Sequence, residues 1–81
     1  MIGYLVYSMA GHDKNKVYAV IQEDSDYVWL ADGDIRTIDH LKKKNKKHVQ
    51  LIKYELSGDT VTNEMIKRTI KLYCKDMQEV K

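Results

Sequence analysis

The side chains in this chain able to act on or hold another molecule are three histidines, one cysteine, scattered carboxylates and a run of lysines. His12, His40 and His48 lie far apart, and none pairs with a second ligand at zinc-site spacing. The single Cys74 can form no internal disulfide and fits a reducing compartment. It lies beside Tyr73 on an apolar stripe of helical period, where it reads as a small core residue and not a nucleophile. No serine, histidine and carboxylate meet in a nucleophile elbow, and Asp24 with Asp26 is more simply a turn than an acid pair. Gly11 and Gly33 do not form the glycine series that opens a phosphate-binding helix. The expectation is a protein that is not an enzyme and has no metal and no cofactor.

The lysines remain. Net charge is +2, but Arg36, Lys42, Lys43, Lys44, Lys46, Lys47 and Lys53 stand against Asp39 alone, a local +6 facing −4 in the rest of the chain. A patch focused in this way attracts polyanions more strongly than the overall charge suggests. Lysine runs are also often no more than solvated surface. Here the run is set against an acidic remainder, lies between two predicted strands, and is joined by Lys14 and Lys16 from an earlier loop.

The elements that must carry these charges follow from the apolar pattern. Tyr4-Leu5-Val6-Tyr7 and Val17-Tyr18-Ala19-Val20-Ile21 suit half-buried strands, one ending at Ser8 and the other at about Glu23. Gly11 and Asn15 in the turn between them tolerate positive φ. Asp24-Ser25-Asp26 has the composition of a tight turn, and Tyr27 to Ala31 makes a third strand. Asp32-Gly33 before Asp34-Ile35-Arg36-Thr37-Ile38 predicts a two-residue hairpin with a fourth strand. Asp39 to Lys47 reads as a solvated loop, and His48 to about Glu55 as a fifth strand. Ser57-Gly58-Asp59-Thr60 breaks the pattern. Met65, Ile66, Ile70, Tyr73, Cys74 and Met77 then recur at helical spacing, predicting an amphipathic helix from about Asn63 to Gln78 with Thr62 as its cap.

Eighty-one residues make one domain. The pattern predicts a mainly β chain: a small SH3-like five-stranded barrel over 1–56, with a turn and amphipathic helix over 57–81 packed on it by Ile66, Ile70, Tyr73 and Met77. The chain has no apolar run of membrane-spanning length and no signal-peptide pattern at its start, which leads us to expect a cytoplasmic protein with no membrane partner.

A strand, a short loop with a fixed glycine, a basic exit and a second apolar strand resemble the KOW motif of ribosomal large-subunit proteins and transcription elongation factors. The chain resembles most the small KOW-domain RNA-binding proteins of Gram-positive bacteria. These carry a loop like Ala10-Gly11-x-Asp13-Lys14, then an Ala31-Asp32-Gly33 turn, then a lysine run. The likeness spans most of Gly3 to Leu51 and, more loosely, the C-terminal helix. Asn15 and Lys16 depart from it, standing where the family has Gly followed by Arg or Lys. The resemblance implies a non-catalytic KOW-type protein binding structured RNA, with ribosomal RNA the expected target.

Charge and resemblance together make Gly11, His12, Lys14, Lys16, Arg36, Lys42, Lys43, Lys44, Lys46, Lys47 and His48 the candidate RNA-binding residues. The expected partners are RNA and a ribosomal or other protein, with the chain itself a monomer. The alternative is an SH3-like protein-protein interaction module in which the lysines serve only solubility.

Overall fold

Short runs of β-branched and aromatic residues, separated by Gly, Asn and Asp, leave the chain little choice but a meander of strands. A computed structural model describes residues 1–56 and 60–79, apart from the side chains of Asp13 and of residues 76–79. The strands are β1 (Tyr4–Ser8), β2 (Val17–Glu23), β3 (Tyr27–Ala31), β4 (Lys42–Asn45) and β5 (Val49–Glu55), followed by one helix, α1 (Asn63–Glu79). They form a single antiparallel sheet in the order β4-β3-β2-β1-β5.

β4 and β5 lie at opposite edges of that order, yet only the 3-10 turn Lys46–His48 separates them in sequence. A flat sheet would put its outer strands about 19 Å apart, at about 4.8 Å per strand spacing. The four residue steps from Asn45 to Val49 reach at most about 14 Å. The sheet must therefore curl. It is not closed into a barrel, because no ladder joins β4 to β5.

Curling lets the sheet bury both faces. Val6, Tyr18, Val20, Val28, Leu30 and Val49 form one buried cluster, and Leu5, Ala19, Ala31 and Ile66 form a second where α1 packs. The alternation in β1 and β2 is thus real but has no solvent face at its centre: Leu5 and Val6 are both fully buried, on opposite sides. Ile70 and Tyr73 extend the packing of α1 on the second cluster, while the Met77 side chain lies outside the described residues. Tyr73 and Tyr7 share a hydroxyl–hydroxyl hydrogen bond of 3.0 Å, and Tyr54 meets Tyr73 edge-on at 5.4 Å. Burial and the Tyr7 hydroxyl push the Tyr73 hydroxyl up to about 12. Thr62 caps the helix, its Oγ1 accepting from the Met65 N–H at 3.1 Å.

Three sequence expectations are corrected. The fourth strand is not Asp34 to Ile38 but Lys42–Asn45, part of the stretch expected to be a solvated loop. Asp32 Oδ1 accepts from the N–H groups of Asp34 at 2.9 Å and Arg36 at 2.8 Å, a local alternative to a ladder that folds 32–36 on itself. The edge beside β3 is then free for the lysine run, whose Lys42 and Lys44 alternate onto the side of Leu30 and Val28 and are half-buried. Their aliphatic stems suit that position. Cys74 is exposed and not in the core. At about 100° per residue it stands about 80° round from Ile66, at the margin of the stripe. The fifth strand begins at Val49, with His48 still in the 3-10 turn. The predicted break at Ser57-Gly58-Asp59 lies outside the described residues. Among the described residues no helix is long and apolar enough to cross a membrane.

Candidate nucleic-acid interface

The connection from β1 to β2 contains the 3-10 turn Gly11–Asp13 and closes on itself. Gly11 and Asn15 take φ of +77° and +73°, as their residue types predict. Asn15 N–H donates to the Ser8 carbonyl at 2.8 Å and Ser8 N–H to the Lys16 carbonyl at 2.9 Å, so Lys14 and Lys16 are held out at the lip. The second basic element, Lys46–His48, is set by Asn45, whose Oδ1 accepts from the Lys47 N–H at 2.9 Å. Two bonds tie the β1–β2 connection to this part of the chain across more than 30 positions of sequence, one to the turn and one to β4 just before it. Met9 N–H donates to the His48 carbonyl at 2.8 Å, and Lys44 Nζ to the Ala10 carbonyl at 2.9 Å. His12, Lys14, Lys47 and His48 are exposed around that junction.

The candidate lysines are not equivalent. Lys44 ties β4 to the β1–β2 connection through Ala10, and Lys42 is likewise half-buried and engaged within the fold. Lys46 Nζ pairs with Glu23 Oε2 at 2.8 Å, and the N-terminal ammonium takes Glu23 Oε1 at 2.6 Å. The Lys46 bond first, then the ammonium, brings the Glu23 carboxyl down to about 2. Because this folded-state value is depressed, the stabilisation is complete above the ordinary value of 4.5 and disappears as pH falls to about 2. Glu23→Gln is expected to melt below the wild type at neutral pH and to converge with it in strong acid. A gap unchanged by pH would show that the pair does not act in this way.

Lys14, Lys16, Lys47 and Lys53 are exposed and make no ion pair among the described residues. Lys16 faces a cleft of about 540 Å³ that it shares with Asp32, Asp34, Lys67 and Lys71 over Val17 and Ile70, so its surroundings carry both signs. Arg36 is half-buried in the connection before β4, and no hydrogen bond joins it to the junction of the two basic segments among the described residues. That connection is anchored to the start of α1, where Asn63 Oδ1 accepts from the Ile38 N–H at 2.8 Å.

Lys43 stands apart from its neighbours. It points to the opposite side of β4 from Lys42 and Lys44, and its Nζ lies 4.3 Å from the centre of the Tyr27 ring and 5.6 Å from that of Trp29. Sequence reasoning offers Tyr27 and Trp29, with Tyr4, Tyr7 and Tyr18, as aromatics able to stack on bases without dividing core from surface, and it misses Lys43 beside them because it takes the lysine run for a loop. Period-two spacing already put Tyr27 and Trp29 on one side of β3, opposite Val28 and Leu30. What was lacking was the strand that brings Lys43 across from Trp29. No protein-family model and no curated protein matches the chain.

Proposed function

We propose that this chain is a non-catalytic, cytoplasmic RNA-binding protein of the KOW type, whose curled sheet is an SH3-like barrel with one seam left open. The observation that carries the reading is the junction of the β1–β2 connection with the Lys46–His48 turn. Exposed His12, Lys14, Lys47 and His48 gather around backbone segments fixed by the Met9–His48 and Lys44–Ala10 bonds. Lysines on a fixed frame neutralise phosphates without reordering the loop, so recognition would rest on backbone shape and charge more than on base sequence. Lys16, at the same lip, extends the basic surface toward α1. Lys44 and Lys46 act one step back, the first holding the β1–β2 connection and the second the turn against Glu23. Structured RNA, ribosomal RNA foremost, is the expected ligand, by analogy with the motif that residues 3–51 resemble.

Affinity capture of the tagged protein from lysate, with and without ribonuclease, tests the reading. RNA should co-purify, and ribonuclease should release it together with any protein bound through it. A protein partner that persists after ribonuclease, with no RNA recovered beforehand, would favour the protein-interaction module instead.

A further inference from the structure

Trp29 is the only tryptophan of the chain, and it is not used in either core. It shares one side of β3 with Tyr27, two residues away, a spacing of about 7 Å. α1 packs on Leu5, Ala19 and Ala31 further along the sheet, while Tyr27 is exposed and Trp29 half-buried. Gln22 lies next to Trp29 on β2 and is exposed, and Lys43 lies across from it on the edge strand β4. An amide, two rings and an ammonium thus line one strip across three strands.

We propose that Tyr27 and Trp29 are a stacking platform for unpaired RNA bases, with Lys43 reserved for the phosphate beside them. This deepens the RNA reading and rests on it. A paired helix keeps its base faces stacked and hidden, so rings of this kind can only meet bases in loops, bulges or single strands. Two neighbouring rings about 7 Å apart match successive bases of an extended strand. Lys43 now occupies the ring faces, an exposed cation–π interaction favouring that arrangement only a few-fold. Base–aromatic stacking favours binding by roughly fivefold to 150-fold per base, so a base displaces the ammonium, which then lies at the platform's edge to meet a phosphate. Asp24 and Asp26 next to Tyr27 repel phosphate at one end and direct the strand toward Lys43. The Gln22 amide can both donate to and accept from a base edge at Trp29.

The intrinsic fluorescence of Trp29 reports this site alone. The test titrates the protein with an end-labelled oligouridylate of roughly ten nucleotides, within the site sizes usual for single-strand binders, and with an RNA duplex of similar length. Binding is followed in parallel by anisotropy of the label. The single strand should quench Trp29 and the duplex should not. Trp29→Ala should weaken single-strand binding at least fivefold and leave duplex binding unchanged. Trp29→Phe, which keeps a ring, should restore most of the loss and guards against misfolding of the Ala variant. Single-strand binding without a change in Trp29 fluorescence, or equal loss for strand and duplex in the folded Phe variant, would overturn the platform and leave the RNA reading standing. Failure of both RNAs to bind would overturn the two together.

Discussion

Gly33→Ala is expected to lower stability by about 2–5 kcal/mol, a large share of the roughly 4–12 kcal/mol that a domain of this length possesses. Two costs combine. Gly33 sits at φ +79°, where a side chain costs about 1–2 kcal/mol. A Cβ there would also fall on the Asn63 carbonyl oxygen and within 2.9 Å of the Lys67 backbone nitrogen. Both are backbone atoms of α1, which cannot swing aside as a side chain could, so overpacking adds about 1–3 kcal/mol. Relief requires the 32–40 connection to lift from the helix, which breaks the bond from Ile38 N–H to Asn63 Oδ1. Gly11→Ala is the matched comparison. Its φ is +77°, but among the described residues no atom beyond its chain neighbours lies within 4 Å of the new Cβ, so only the conformational cost of about 1–2 kcal/mol should appear. Urea unfolding measures both. Equal losses in the two variants would mean that α1 does not lie against Gly33.

Ile66→Asp is expected to cost about 3–5 kcal/mol or to prevent folding. Ile66 is wholly buried against Leu5, Ala19 and Ala31, and the substitution removes that packing while placing a carboxylate where no partner exists among the described residues. Ile70, on the same stripe, is only half-buried and should respond less. Leu72→Asp, at a position 49% exposed, should change stability by about 0.5 kcal/mol or less. If thermal denaturation found Ile66→Asp as stable as the wild type, the helix would be free of the sheet and its stripe open to a partner.

Features fixed by neighbouring residues were legible in the sequence. The left-handed positions of Gly11 and Asn15, the Asp24 turn, the Thr62 cap and the separation of Val17, Ala19 and Ile21 from Tyr18 and Val20 all depend on residue type and short-range periodicity. Features decided by distant segments were not. Asp32-Gly33 does place its glycine at positive φ, but what requires glycine there is α1, thirty positions further on, and not a hairpin. Lys42–Asn45 has no apolar period and strong self-repulsion, and it becomes a strand because β3 offers an unpaired edge. Charged residues on such an edge also discourage pairing with other chains. The candidate site shows the same division. The basic run was plain, but which lysines are occupied depends on Ala10 and Glu23, residues about 20 to 35 positions away that only the folded sheet brings near.

If the exposed lysines of the two joined segments meet RNA phosphates, the salt dependence of binding shows it most directly. Replacing Lys14, Lys16 and Lys47 together with Gln should make the plot of log K against log salt for a structured RNA shallower by about 2 to 3, at roughly 0.7–0.9 for each phosphate left without its lysine. Replacing Lys75 on α1, outside the cleft that Lys16 shares, should leave it nearly unchanged, and Lys46→Gln should act mainly on stability through Glu23. A triple variant that kept the full wild-type slope would contradict the account, as would a wild type that bound the RNA no more tightly than an unrelated domain of the same net charge.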